Sequence, residues 1–239
     1  MDEAFSRTEL LLGPEALERL RRSRVAVFGV GGVGGYVVEA LARSGVGALE
    51  LIDSDTVSVS NLNRQILATR PDLGRLKVDV ARERVLSINP EAEVVTHPVF
   101  YLPETAERFD FRRYDYVVDA IDTVSGKIQL VLQAQSAGVP VICSMGAGNK
   151  LDPSLFRVSD LFETSVDPLA RVMRQELRKR GVKRLKCVWS PEPPRTPMGA
   201  ATDSAGPGRR STPGSVAFVP PVAGLLLAGA VVRDLTGAW

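Results

Sequence analysis

The sequence predicts an α/β fold: a Rossmann-like, mostly parallel sheet with flanking helices, extended by C-terminal strands and helices. Three features predict it. Residues 24–55 read as strand, glycine-rich turn, helix and strand, the order of a nucleotide-binding unit. Across residues 24–144, short β-branched runs alternate with segments of helical periodicity, as a doubly wound parallel sheet requires. The chain's 239 residues, 44% hydrophobic and 24% charged, are ordinary for a globular protein with one large core.

Each element follows from its residues. Residues 1–12 read as an arm whose most notable charge is Arg7, and residues 13–22 as a short helix with Pro14 in its first turn. Val25, Val27 and Val30 mark a buried strand. Gly29, Gly31, Gly32, Gly34 and Gly35 then supply a sharp turn, and residues 33–44 a helix whose N-terminus suits an anion. A second strand ends at Asp53, and residues 56–70 form a polar loop. Leu76, Val80, Val85 and Ile88 predict a helix over 73–88, stopped by Asn89-Pro90. Strands are expected at 94–99, 114–120 and 139–143, with a helix over 127–137. Beyond Ser144 the character changes to a turn-rich loop, a basic helix over 167–180 and a strand over 185–189. The proline- and glycine-rich stretch 190–214 reads as a flexible loop. A strand over 216–219 and a helix over 222–235 complete the chain.

Composition removes several functions. A net charge of +2 does not by itself mark a nucleic-acid binder, so local charge has to be inspected. Cys143 and Cys187 form no CxxC pair, which excludes a four-thiolate zinc site and fits a reduced, cytoplasmic setting. The first residues lack the basic and apolar regions of a secretory signal. The uncharged run 216–232 is shorter than the about 20 residues of a membrane span and is broken by Pro220-Pro221; no membrane role is expected. His97, beside Pro98 and far from the motifs, reads as structural, and both cysteines read as small packed hydrophobes.

The glycine turn alone fits a nicotinamide or flavin site and an ATP site equally well. Asp53 at the second strand's end is placed to accept hydrogen bonds from ribose hydroxyls. The loop after it narrows the choice: Asn61 and Arg64 are placed to return toward a phosphate tail, where arginine offers a planar multi-donor grip, and Lys77 adds a point charge. Asp122 closes a parallel strand at the crevice where ligands bind, and a carboxylate beside a triphosphate is a natural Mg²⁺ ligand.

These residues carry a resemblance. GVGGVGG, LIDSDTVSVSNLNRQ, the GRLK lysine and VVDAIDT are similar to the adenylating domain of the ubiquitin-activating-enzyme-like superfamily. That resemblance implies a single domain over 1–239, with a nucleotide-binding core at 24–144 and a substrate extension at 145–239. It implies activation of a carboxylate by ATP; the zinc that sulfur-carrier adenylyltransferases commonly hold is excluded by the missing CxxC pairs. Gly29, Gly31, Gly32, Gly34, Asp53, Ser60, Asn61 and Thr123 would hold the nucleotide, Arg64 and Lys77 its phosphates, and Asp122 a Mg²⁺ ion. Arg7 would complete the site of a partner subunit in a homodimer.

The second half, from GAGNKLDP through the basic helix to CVWSPEPP, is similar to the branch that dehydrates threonylcarbamoyladenosine in tRNA. The reaction so implied adenylates the threonyl carboxylate next to the anticodon and closes it into a ring. The tRNA would be held by Arg174, Arg178, Lys179, Arg180, Lys183, Arg184 and Lys186, with Arg209 and Arg210 extending the track. Lys150, Asp152, Thr164 and Asp167 match the branch without a derivable role. A cysteine desulfurase system is implied as a partner by family alone. Two other readings stay open: adenylation of a ubiquitin-like or sulfur-carrier C-terminal glycine, and a dinucleotide-dependent oxidoreductase or nucleotide sensor.

Overall fold

A computed structural model describes residues 3–199 and 213–238. Helices α1 (Ser6–Leu12) and α2 (Pro14–Arg22) precede strand β1 (Arg24–Phe28). Then come α3 (Gly34–Arg43), β2 (Ala48–Ile52), α4 (Lys77–Ile88), β3 (Glu93–His97), β4 (Tyr116–Asp119), α5 (Val124–Ala137) and β5 (Val141–Ser144). The chain continues through β6 (Arg157–Asp160), α6 (Pro168–Lys179), β7 (Lys186–Trp189) and α7 (Val219–Thr236). The seven-stranded sheet has the order β3-β2-β1-β4-β5-β7-β6. All neighbours are parallel except β6, which runs antiparallel to β7.

Strand alternation divides the core. Val25 and Val27 face a cluster shared with α3, α4 and α7. Ala26 and Phe28 face the other side, where Tyr101, Phe109, Phe111 and Tyr114 pack with α5. Phe28 meets Tyr101 edge-on with ring centroids 4.8 Å apart. A third cluster joins α5 and α6 to β5 and β7 and contains both cysteines, as small packed hydrophobes. Burial raises both thiols, Cys187 to about 12 and Cys143 well above the usual range, which disfavours the thiolate form. His97 is structural too: its Nε2 lies 3.0 Å from Glu50 Oε2.

Three expectations need correction, and one strand was missed. The arm is helical, since residues 3–5 form a single turn and α1 follows. The helix over 73–88 begins only at Lys77, because Gly74 takes a positive φ of 83° and breaks the spiral. No strand forms at 216–219: Pro220 and Pro221 occupy the first turn of α7, where proline's missing N–H costs nothing. Strand β6 was not foreseen; with four residues at the sheet's edge it shows little periodicity, although Val158 and Ser159 pair with Val188 and Cys187. The flexible-loop expectation for 190–214 falls largely outside the described residues, as do Arg209 and Arg210.

Helix α7 is, among the described residues, the one helix long and apolar enough to cross a membrane, with a mean hydropathy of 1.4. It packs against α3 so closely that a Cβ on Gly224 would lie 2.4 Å from the Val33 carbonyl oxygen.

Candidate active site

The sheet order reverses at β1, with β2 on one side and β4 on the other. Phe28 pairs in register with Asp119, so the turns after β1 and β4 emerge side by side. Such a switch point is where open α/β sheets bind ligands. A cavity of about 480 Å³ opens there, at the carboxyl ends of β1, β2, β4 and β5.

Gly29, Gly31, Gly32, Asp53, Asn61, Arg64, Lys77, Asp122 and Thr123 all line this cavity, although they span almost a hundred residues of chain. Gly34 stands behind the wall. A Cβ there would lie 1.7 Å from the Gly29 carbonyl oxygen, so no other residue lets the turn close on α3. Ser60 also stands behind it: its carbonyl accepts from Arg64 Nη1 at 2.7 Å.

Both Asp53 oxygens are held by backbone. Oδ2 accepts from Val30 N–H at 2.7 Å and Oδ1 from Asp55 N–H at 2.8 Å. Burial pushes this carboxyl above the usual range, opposed by the Lys77 charge and by those two donors. Lys77, the first residue of α4, is buried and reaches the exposed Asp55 carboxylate at 2.7 Å. Asn61 Oδ1 accepts from Ser58 N–H at 3.1 Å, which shapes the loop that presents Arg64. Asp122 lies on the opposite lip, 3.4 Å from the Thr123 hydroxyl.

The carboxylate of Asp122 suits Mg²⁺, which takes one or two carboxylates and completes its shell with phosphate oxygens and water. Among the described residues no group of three or more His, Cys, Asp or Glu could hold a metal ion, so nothing here forms an all-protein cage.

Arg7 does not join this cavity. It lines a separate hollow of about 430 Å³ with Leu11, Leu12, Ala40, Leu225 and Gly229, between α1, α3 and α7.

The basic stretch does not form one continuous face. Arg174 turns inward to the Thr164 hydroxyl. Lys179 and Arg180 both pair with Glu176 at 2.7 Å. Lys186, on β7, pairs with Asp234. Arg178 lies 5.2 Å above the Phe162 ring. Lys183 and Arg184, just beyond the helix, are exposed, and no ion pair to either is formed among the described residues.

Lys150, Asp152 and Asp167, left without a role in the sequence, make structural contacts near residues 146–152 and 192. Lys150 Nζ donates to the Glu192 carbonyl at 2.7 Å. Asp167 caps α6 through Ala170 N–H at 2.9 Å and holds Gly146, a wall residue, through its N–H at 3.1 Å. Asp152 accepts from Ser154 N–H at 2.9 Å. Gln65, the last residue of the quoted motif LIDSDTVSVSNLNRQ, and Tyr101 line the cavity, and Lys127 donates to the carbonyl of the lining residue Ile121; neither Tyr101 nor Lys127 stood out in the sequence.

Comparison with known proteins gives the chain a family. The profile of the ThiF family matches residues 5–238. A relative from Bacillus subtilis strain 168, named tRNA threonylcarbamoyladenosine dehydratase, is 45% identical over 238 residues, covering 97% of this chain and 94% of its own. A relative of the same name from Escherichia coli K12 is 38% identical over 198 residues, 80% of this chain and 74% of its own. The solved structure of an E. coli tRNA N6-threonylcarbamoyladenosine dehydratase in complex with ATP superposes with a TM-score of 0.88 at 34% identity, covering 98% of this chain and 94% of that one. A sulfur carrier protein adenylyltransferase from Thermus thermophilus matches only 55% of this chain and 48% of its own, at 40% identity over 131 residues. One cavity lined by a glycine turn, two carboxylates and two cations stands in a chain matched over nearly its full length by the family profile, and this chain belongs to the ThiF family. Likeness to the tRNA threonylcarbamoyladenosine dehydratases spans almost its whole length, residues beyond 144 included.

Proposed function

We propose that this chain is an ATP-dependent tRNA threonylcarbamoyladenosine dehydratase. The observation that carries the reading is one cavity lined by the glycine turn, Asp53, Arg64, Lys77 and Asp122, in a chain similar to such dehydratases on both sides of residue 144.

The chemistry follows from placement. Asp53 binds the ribose hydroxyls, and the turn at 29–34 lets the phosphates approach the backbone. Arg64 and Lys77 draw charge from the phosphate tail as a threonyl carboxylate oxygen attacks the α-phosphorus and pyrophosphate leaves. Asp122 would hold Mg²⁺, which supplies neutralisation of phosphate charge when bound. A nitrogen of the same side chain then attacks the activated carbonyl carbon, loses its proton and expels AMP. The net change to the tRNA is loss of one water. The nucleophile is tethered to its target, so no cysteine is required, in keeping with two buried thiols packed in the core.

Arg7 serves the cavity of a second copy in a homodimer; its distance from its own cavity and its place beside an apolar hollow support this. Lys183, Arg184 and Arg178 offer the most available cations to tRNA phosphates. With tRNA and ATP as substrates, the cytoplasm is the setting. Partnership with a cysteine desulfurase system rests on family likeness alone.

Incubating the chain with Mg-ATP and tRNA bearing threonylcarbamoyladenosine, then digesting to nucleosides for mass spectrometry, tests the activity. A mass loss of one water at that nucleoside is expected, and Asp122→Asn should slow it by roughly 10²-fold or more. Unmodified nucleoside with the wild-type chain, together with pyrophosphate exchange that depends on a sulfur-carrier protein, would sink the reading.

A further inference from the structure

At the substrate-side wall, one residue grips two segments far apart in sequence. Asn149 follows the wall residue Gly148 and has a left-handed backbone, φ 59°, which asparagine tolerates better than most residues. Its N–H donates to the Gly214 carbonyl at 2.8 Å, and its own carbonyl accepts from Arg195 N–H at 2.8 Å. Its side-chain Oδ1 accepts from Gly214 N–H at 2.6 Å. Both polar backbone groups of Gly214 are therefore bound to one residue.

The strap at 213–215 is also tied to the nucleotide side. Asn63 Nδ2 donates to the Ser215 carbonyl at 3.0 Å, while Asn63 Oδ1 accepts from Arg64 Nη1 at 2.9 Å. Pro213, Gly214 and Ser215 line the cavity along with Gly146 and Gly148. The contact is tight: a Cβ on Gly148 would meet Pro213 Cβ at 2.8 Å. Without Asn149, the strap would keep its tie to the phosphate-side loop and lose its tie to the substrate-side wall.

We propose that Asn149 is a positioning residue for the carboxylate-bearing substrate, fixing the 213–215 strap as the wall against which the threonylcarbamoyl group is held. The inference rests on the activity proposed above. It also explains why an asparagine, rather than a glycine, occupies a left-handed position. Glycine would supply the backbone; only the side chain supplies the acceptor for Gly214.

Three variants separate these contributions. Asn149→Ala loses the acceptor and strains the backbone, Asn149→Gly keeps the backbone and loses the acceptor, and Asn149→Asp keeps an acceptor. Steady-state kinetics with modified tRNA and ATP varied in turn, and amide hydrogen exchange at Gly214, are the readouts. Ala and Gly should raise KM for tRNA roughly tenfold with KM for ATP within about twofold, and speed Gly214 exchange roughly tenfold. Asp should restore both to near wild type. The proposal is overturned if the Gly variant matches wild type, if Asp is no better than Ala, or if both KM values rise together. Wild-type chain that leaves tRNA unmodified brings down the activity reading instead, while unchanged Gly214 exchange in an active Asn149→Ala brings down the positioning alone.

Discussion

Lys127 and Asp119 form an ion pair with both side chains fully buried, 2.9 Å apart. It is an ion contact rather than an aligned hydrogen bond, for Asp119 Oδ2 has no aligned donor. Lys127 Nζ also donates to the Ile121 carbonyl at 3.0 Å, and Asp119 Oδ1 accepts from Ile121 N–H at 3.2 Å. The turn that carries Asp122 is thus fixed from beneath. Removing one member of a buried pair leaves an uncompensated charge, so Lys127→Ala should lower stability in urea unfolding by about 3–5 kcal/mol. The double replacement Lys127→Met with Asp119→Leu should recover most of that stability without recovering turnover, since the turn loses its tether. Full activity in the double variant would reduce the pair to packing. Nothing in the sequence marked Lys127, because a lysine early in a helix reads as a solvated charge. Asp122 was legible for the opposite reason: it follows an apolar run, and although the strand itself ends at Asp119, the turn after it carries Asp122 to the crevice.

At the scale of elements, regular periodicity was readable and end chemistry was not. Helices α3, α5 and α6 and strands β1, β2 and β5 were placed to within a few residues, because burial imposes period 3.6 or continuous apolar runs on them. Strand β6 escaped because a short edge strand answers to its neighbour rather than to its own pattern. Helix α7 was started too late because a proline pair reads as a break unless the helix's first turn is considered. The basic stretch was legible as composition but not as geometry: intrahelical spacing gives Lys179 and Arg180 a shared partner in Glu176. Lys183→Glu with Arg184→Glu should therefore weaken tRNA binding and lower the salt slope of log K by about 2, whereas Lys179→Glu with Arg180→Glu should do less. Filter binding across a salt series checks this, and equal effects would mean the whole stretch acts as one diffuse field.

For the whole molecule, the sheet order could be inferred as doubly wound but not written down, since strand adjacency depends on long-range pairing. What brings Asp53, Arg64, Lys77 and Asp122 to one cavity is the reversal at β1, and the resemblance supplied that convergence before topology did. The role proposed for Arg7 belongs to a larger scale than one chain. If it completes the cavity of a second copy, then Arg7→Ala and Asp122→Ala chains, each inactive alone, should regain about a quarter of wild-type activity when mixed and allowed to exchange subunits, because half the dimers would carry one intact site. Mixtures that stay inactive while sedimenting as dimers would confine Arg7 to a structural task beside α7.

If Asp53 holds the ribose as proposed, the double backbone grip on it has a consequence for which sugar the cavity accepts. The carboxylate is oriented before any nucleotide arrives, so its remaining lone pairs point in fixed directions and cannot swing toward a substitute partner. A nucleotide lacking the 2′-hydroxyl would leave one of them facing the cavity unpaired, at about 1.5–3 kcal/mol. Discrimination of roughly 10–100-fold between ATP and its 2′-deoxy counterpart is expected from this one immobile side chain, and competition between the two triphosphates in the turnover assay measures it.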